Sequence, residues 1–322
     1  MWGNRLGWGI SGAIVIGALG VYALIVLAMK PSPPTAFITG HPDYLTRVEL
    51  PVDPRTVVKV MTDDCDAGPM YREAINDVGR HQVLYDQFGE GRAPMERVGE
   101  LKGVDNLLKA AKCKRMTLFS ANPKEVVNYI GEREPIEALA KVAKAAIAIG
   151  LRSKEKDPET ARKYYEAAFS LGTKMYEERV VYEELQVGID LLGTAASALK
   201  SLVKEKDPAA ADALGNFDAS KLEYFQNRIA PVMRVISSID PNVQFQHTGD
   251  VFKLASPDNE EKMFRTEAVL KLGRQKYFAA RSADQWGARR ILRKYAQDDD
   301  PAISTAAQLG LDLTLEGYRA LH

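Results

Sequence analysis

The chain's hydrophobic positions repeat with a helical period over most of its length. Ile136, Leu139, Ala140, Ala143 and Ile147 recur every three or four residues, with Glu137, Lys141 and Lys144 between them. That spacing predicts an amphipathic helix from Pro135 that stops near Gly150. Asp157-Pro158 reads as an N-cap with proline in the first turn, and it opens a second stripe of Ala161, Tyr165, Ala168, Gly172 and Met175. The third stripe is the clearest: Tyr182, Leu185, Ile189, Leu192, Ala196, Leu199 and Val203 alternate by three and four. Such a seam suits helices packed at shallow angles. A fourth, Leu222, Phe225, Ile229, Val232 and Ile236, contains Pro231, which predicts a kink or break near Ala230. Upstream, Tyr71, Ile75, Val78 and Tyr85 predict a helix from Pro69 to Gly89 or Gly91. The β-branched run Thr56 to Met61 predicts one short strand with no evident partner.

Residues 9–29 depart from this pattern, being apolar on every face and without a charge. At ~1.5 Å per residue they reach roughly 31 Å, the thickness of a bilayer's hydrocarbon core. Trp2 and Trp8 precede the run, Lys30 ends it, and Pro31, Pro33 and Pro34 follow. The expectation is an uncleaved single-pass anchor over 1–30 rather than a signal peptide, whose apolar core is shorter. Gly9, Ala13 and Gly17 share one face of it and could form a transmembrane packing face between two copies. Arg5 on the short side leans the orientation towards a body outside the cytoplasm.

Residues 31–64 are rich in proline and read as a linker or extended segment. The acidic run Asp63, Asp64, Asp66 that follows lacks the spacing of a calcium loop, since Gly68 and Pro69 interrupt it. It reads instead as acidic residues opening the helix at Pro69. Cys65 and Cys113 could pair with each other or be two separate buried thiols.

The sequence Lys154-Glu155-Lys156-Asp157-Pro158 recurs as Lys204-Glu205-Lys206-Asp207-Pro208. It marks either a repeated hairpin or a common type of helix joint. With Ala161, Tyr165 and Ala168 in register, residues 136–203 resemble tetratricopeptide-type helical hairpins, without that family's first-helix signature. Near the C-terminus, Arg265, Ala268, Leu272 and Gly273 are followed by Asp300-Pro301 and then Ala306, Ala307, Leu309 and Gly310. Residues 248–315 are similar in this to HEAT repeats, which implies paired helices stacked on their neighbours. The expected architecture is all-α. An anchor (1–30) and linker (31–64) precede a helical-hairpin region (65–247) and a HEAT-like region (248–322), arranged like an α-solenoid.

Composition narrows the function classes. The chain has 322 residues, with 43 Lys+Arg against 43 Asp+Glu. Zero net charge disfavours a general nucleic-acid binder. His41, His81, His247 and His322 have no metal-ligand spacing, and no nucleophile, phosphate-loop or dinucleotide motif is present. No catalytic, cofactor or metal residue is therefore assigned. One basic cluster stands out: Trp286, Arg289, Arg290, Arg293 and Lys294, on a helix whose core stripe is Ala288, Ile291, Leu292 and Tyr295. The arginines fall on its wet face, where with Trp286 they could form an interaction patch. The expected function is a membrane-anchored scaffold that binds a protein or peptide partner. The alternatives are an enzyme or enzyme accessory with a pocket between helical layers, or an envelope component that self-assembles through its anchor.

Overall fold

The computed structural model of the chain describes residues 29–34, 36–50, 52–118, 133–237 and 248–314. They are mostly helical. The eleven longer helices described are α1 (Gly68–Gly89), α2 (Lys102–Ala110), α3 (Glu134–Ser153), α4 (Pro158–Glu178), α5 (Tyr182–Val203), α6 (Pro208–Leu214), α7 (Ala219–Ser237), α8 (Thr248–Leu254), α9 (Lys262–Phe278), α10 (Ser282–Tyr295) and α11 (Pro301–Asp312). Two short parallel strands, β1 (Asp63–Asp66) and β2 (Cys113–Arg115), make the one sheet among the described residues.

Local chemistry explains the helix joints. The Asp157 carboxylate accepts from the Thr160 backbone N–H at 3.0 Å, and Asp207 does the same for Ala210 at 2.9 Å. Each satisfies a first-turn donor that would otherwise have no partner, while proline at the next position has none to lose. The recurring pentapeptide is therefore the same joint used twice, between α3 and α4 and between α5 and α6. Asp300 caps α11 through Ala302 N–H at 2.9 Å.

Helices α1, α3, α4 and α5 pack side by side in that order, and α2 fills the space between α1, α3 and α4. Their apolar stripes face one another: Leu139, Ala143, Tyr165, Ala168, Leu185, Leu192 and Ala196 are all buried. Helices α9, α10 and α11 form a second group, joined to the first through α5 and α7. The Leu-Gly pairs of the two C-terminal units meet where α9 crosses α11. A Cβ added at Gly273 would lie 2.7 Å from the Gly310 Cα, so the two backbones touch only because both residues are glycine.

Several expectations are corrected. Thr56 and Val57 lie in a helical turn, Pro54–Val57, and the strand comes later, at Asp63–Asp66. The Asp53 carboxylate caps that turn through the Arg55 N–H, which outweighs the β-branched run. Helix α3 runs past Gly150 to Ser153, and Gly150 packs on the Tyr165 ring. Helix α7 carries Pro231 inside it without ending there. The acidic run is strand, although Asp66 does serve the helix start, its Oδ1 accepting from Gly68 N–H at 2.8 Å.

The single-pass membrane arrangement is also corrected, and with it the expected location outside the cytoplasm. Among the described residues no helix is long and apolar enough to cross a membrane. The physical reason is amphipathicity: even α5, with the cleanest apolar seam, carries Glu183, Glu184, Asp190 and Lys200. Residues 9–28 of the apolar run, with Gly9, Ala13 and Gly17, lie outside the described residues. The proline-rich segment is packed rather than free, with Ile38, Val48, Pro54, Val58 and Met61 buried against the helices.

Candidate functional site

Helix α10 presents two faces. Ala283, Asp284, Gly287, Ala288, Leu292 and Tyr295 are buried. On the other side Trp286 is 56% exposed, Arg290 and Arg293 are exposed, and Arg289 is half-buried. Trp286, Arg289, Arg290 and Arg293 line one cleft of about 400 Å³ together with Met29, Pro31 and Gly287. The structure thus brings together four of the five residues of the basic cluster. Lys294 is not among the lining residues, and its ammonium lies over the Tyr295 ring, 5.9 Å from the centroid.

The opposite wall of this cleft comes from the other end of the chain. Residues 30–34 lie as a strap against α10 and α8. The buried Asp284 carboxylate accepts from the Ser32 backbone N–H at 2.6 Å and from its hydroxyl at 2.8 Å. The Arg281 guanidinium donates to Ser32 Oγ at 3.0 Å. Two glycines make the seat: a Cβ at Gly287 would come within 2.8 Å of Pro31 Cγ, and one at Gly249 within 1.8 Å of the Pro33 carbonyl oxygen. The sequence shows Pro31, Pro33 and Pro34 as an extended run, but nothing local shows that residues more than 200 positions away are shaped to hold it. Asp284→Ala is therefore expected to free the strap. Two hydrogen bonds to a carboxylate, each worth about 1.5–3 kcal/mol, are lost. Amide exchange at Ser32 should quicken at least tenfold while the central turns of α10 stay protected, and unchanged exchange at Ser32 would refute the strap's anchoring.

The electrostatics of the cleft are one-sided. No carboxylate is among its lining residues, and that of Asp284 on the same helix is committed to Ser32. Arg290 and Arg293 have no hydrogen-bonding or ion-pair partner among the described residues. Arg289 rests with its guanidinium 5.9 Å from the Tyr277 ring centroid. The cleft therefore offers three cations beside one exposed indole.

A separate cluster of buried ionisable groups lies around the end of α4. Lys174 is 1% exposed and donates to Ser170 Oγ. Burial pushes its ammonium down to about 7, opposed by the Glu177 carboxylate and reinforced by the Arg55 cation. Burial, and then the charge of Glu184, holds the Glu178 carboxyl well above its usual range. Arg179 and Glu261 form a fully buried pair at 2.8 and 3.0 Å. None of these groups lines the cleft on α10, nor a second one of about 300 Å³ between α1 and α3, which Asn76, Gln82, Glu137 and Lys141 help to line. They shape stability instead. Because Lys174 titrates near 7 when folded and near 10.4 when unfolded, the unfolded chain binds more protons between those values. Its penalty is complete below pH 7 and fades as the pH rises. Stability should increase by about 3 kcal/mol from pH 7 to 9.5 on this account. Urea titrations of wild type and Lys174→Met across that window test it: the variant should lack the increase, and parallel curves would exclude the lysine as its source.

Among the described residues no group of histidine, cysteine, aspartate or glutamate is placed to hold a metal ion. No protein-family model, no curated protein and no solved structure matches the chain.

Proposed function

We propose that the chain is a helical-repeat scaffold that binds a protein or peptide partner, and that the cleft on α10 is its binding site. The tetratricopeptide- and HEAT-type resemblances belong to this proposal. Stacked helix pairs of that kind present recognition surfaces along their length. The observation that carries the reading is the cleft itself, where an exposed tryptophan and three arginines, without carboxylate partners among the described residues, line a cavity between α10 and the strap. Tryptophan and arginine are the residues most often found to dominate binding energy at protein interfaces. The cations pay no conformational cost to release an internal partner, because Arg290 and Arg293 have none among the described residues.

The test compares wild type with Trp286→Ala and with Arg290→Glu/Arg293→Glu as baits under identical salt. These side chains are exposed, so the fold should be unchanged by circular dichroism and melting. Proteins retained by wild type and lost with both variants would support the site. A retained set that is the same for all three baits would overturn it.

A further inference from the structure

We infer that the cleft on α10 takes an extended acidic peptide segment with the pattern apolar-x-acid-x-acid, its apolar side chain on Trp286 and its carboxylates on Arg289, Arg290 and Arg293. The inference rests on the proposed binding role of this cleft and adds the chemistry of the occupant.

The helical spacing of the lining residues supports it. Trp286, Arg289, Arg290 and Arg293 fall at i, i+3, i+4 and i+7, so they form one ridge along α10. Arg289 and Arg293 are about 6 Å apart along the axis, at 1.5 Å per residue. Alternate side chains on one side of an extended peptide are about 6.8 Å apart. Two carboxylates separated by one residue therefore meet two guanidiniums in step. A third side chain, two residues further along, arrives near Trp286. Guanidinium is the cation that pairs bidentately with carboxylate, so the match selects carboxylates by geometry as well as by charge. The apolar end of the cleft is real: Met29 is 51% and Trp286 56% exposed, and Pro31 of the strap sits against Gly287 of α10.

Two other anionic occupants fit less well. Single-stranded nucleic acid is held by several aromatic platforms in succession along a basic track. Here Trp286 is the one aromatic among the exposed large hydrophobic residues described. An anionic lipid surface would meet a broad basic and apolar face, whereas these cations line a concavity walled by the strap.

The experiment measures fluorescence anisotropy of three labelled probes with the full chain. They are a peptide Ser-Phe-Ser-Glu-Ser-Glu-Ser, the same peptide with both Glu replaced by Gln, and a dT10 oligonucleotide. Vesicles with 30% phosphatidylglycerol are assayed separately by co-sedimentation. The acidic peptide should bind at least tenfold more tightly than its Gln counterpart, and more weakly as salt rises. Arg290→Gln/Arg293→Gln should weaken it at least tenfold, and Trp286→Ala about fivefold, with melting unchanged. Equal binding of the two peptides, or acidic binding indifferent to these substitutions, would overturn the inference. So would arginine-dependent binding of the oligonucleotide or the vesicles that exceeds peptide binding. If the baits lose a partner on substitution but the acidic peptide does not bind, the acidic occupant is wrong and the scaffold reading stands. If the peptide binds as expected while no partner is lost, the scaffold reading alone falls.

Discussion

Glu261→Gln should destabilise the protein by about 3–5 kcal/mol, the usual cost of leaving one member of a buried ion pair without its counter-charge. The side chains of Arg179 and Glu261 are 1% and 2% exposed. Four of the five guanidinium N–H groups are engaged: they donate to both Glu261 oxygens, to the Tyr176 carbonyl at 2.7 Å and to the Val48 carbonyl at 2.7 Å. Glu261 in turn accepts from the Val48 N–H at 3.1 Å. Glutamine can mimic some of these bonds but not the charge, so the cation stays desolvated and uncompensated. Arg179→Met combined with Glu261→Leu should recover most of the loss, because apolar residues of similar volume often replace such a pair at little cost. Recovery should stop short by about 1–3 kcal/mol, since the Val48 N–H loses its acceptor, while the Val48 carbonyl keeps the Tyr176 hydroxyl. Urea unfolding of the two single variants and the double variant gives the coupling energy. A Glu261→Gln loss below about 1 kcal/mol would show that the pair contributes little.

The effect should reach beyond the pair. Val48 belongs to the segment that leads back to the strap. Close by, Glu260 N–H donates to the Leu45 carbonyl at 2.8 Å, and Arg47 donates to the Glu177 carbonyl at 2.8 Å. Loosening this stitch removes the anchorage on one side of the strap, while Ser32 and Asp284 hold the other.

What could be read in the sequence was what is local. Asp157, Asp207 and Asp300 each precede a proline, and each caps the helix that follows. Asp53-Pro54 carries the same signature ahead of the run read as a strand, and there the structure follows the cap. Propensity of a few residues loses to a satisfied backbone donor and a fixed proline φ. The basic cluster was visible as side chains on one helix face, and four of its five members line the cleft. Met29, Pro31 and Gly287 were missed, because they enter the cleft only when the N-terminal strap seats on α10. Nothing periodic links Ser32 to Asp284, or Arg179 to Glu261. Such pairs are set by tertiary packing, and a helical stripe says which face is buried but not what it meets. Gly150 does not stop its helix, and Pro231 does not break its own, for a related reason. Glycine costs about 1 kcal/mol and proline about 3 within a helix, amounts that packing on both sides can offset.

The two cysteines carry the other large effect. The sequence allowed them to pair or to stay apart, and the structure pairs them: Cys65 on β1 bonds to Cys113 on β2. The sequence separation is 48 residues. In the chain-entropy account, a loop of that length restricts the unfolded state by about 4 kcal/mol. The strands it joins are four and three residues long with an irregular register, too little for a sheet to be stable alone. Beyond the bridge, Asp66 Oδ1 accepts from both Gly68 N–H and Thr117 N–H at 2.8 Å, which ties the start of α1 to the segment after β2. The bridge therefore holds a junction that its hydrogen bonds could not hold by themselves. Cys65→Ser/Cys113→Ser should lower the urea-derived stability by about 4 kcal/mol. Wild type treated with dithiothreitol should fall to a similar value, while the double variant should not respond to the reductant. Limited trypsin digestion should then cut first near Lys114 and Arg115, whose exposed side chains flank the bridge. Equal stability of oxidised and reduced wild type would mean that the α1–α2 packing, and not the covalent link, holds this corner together.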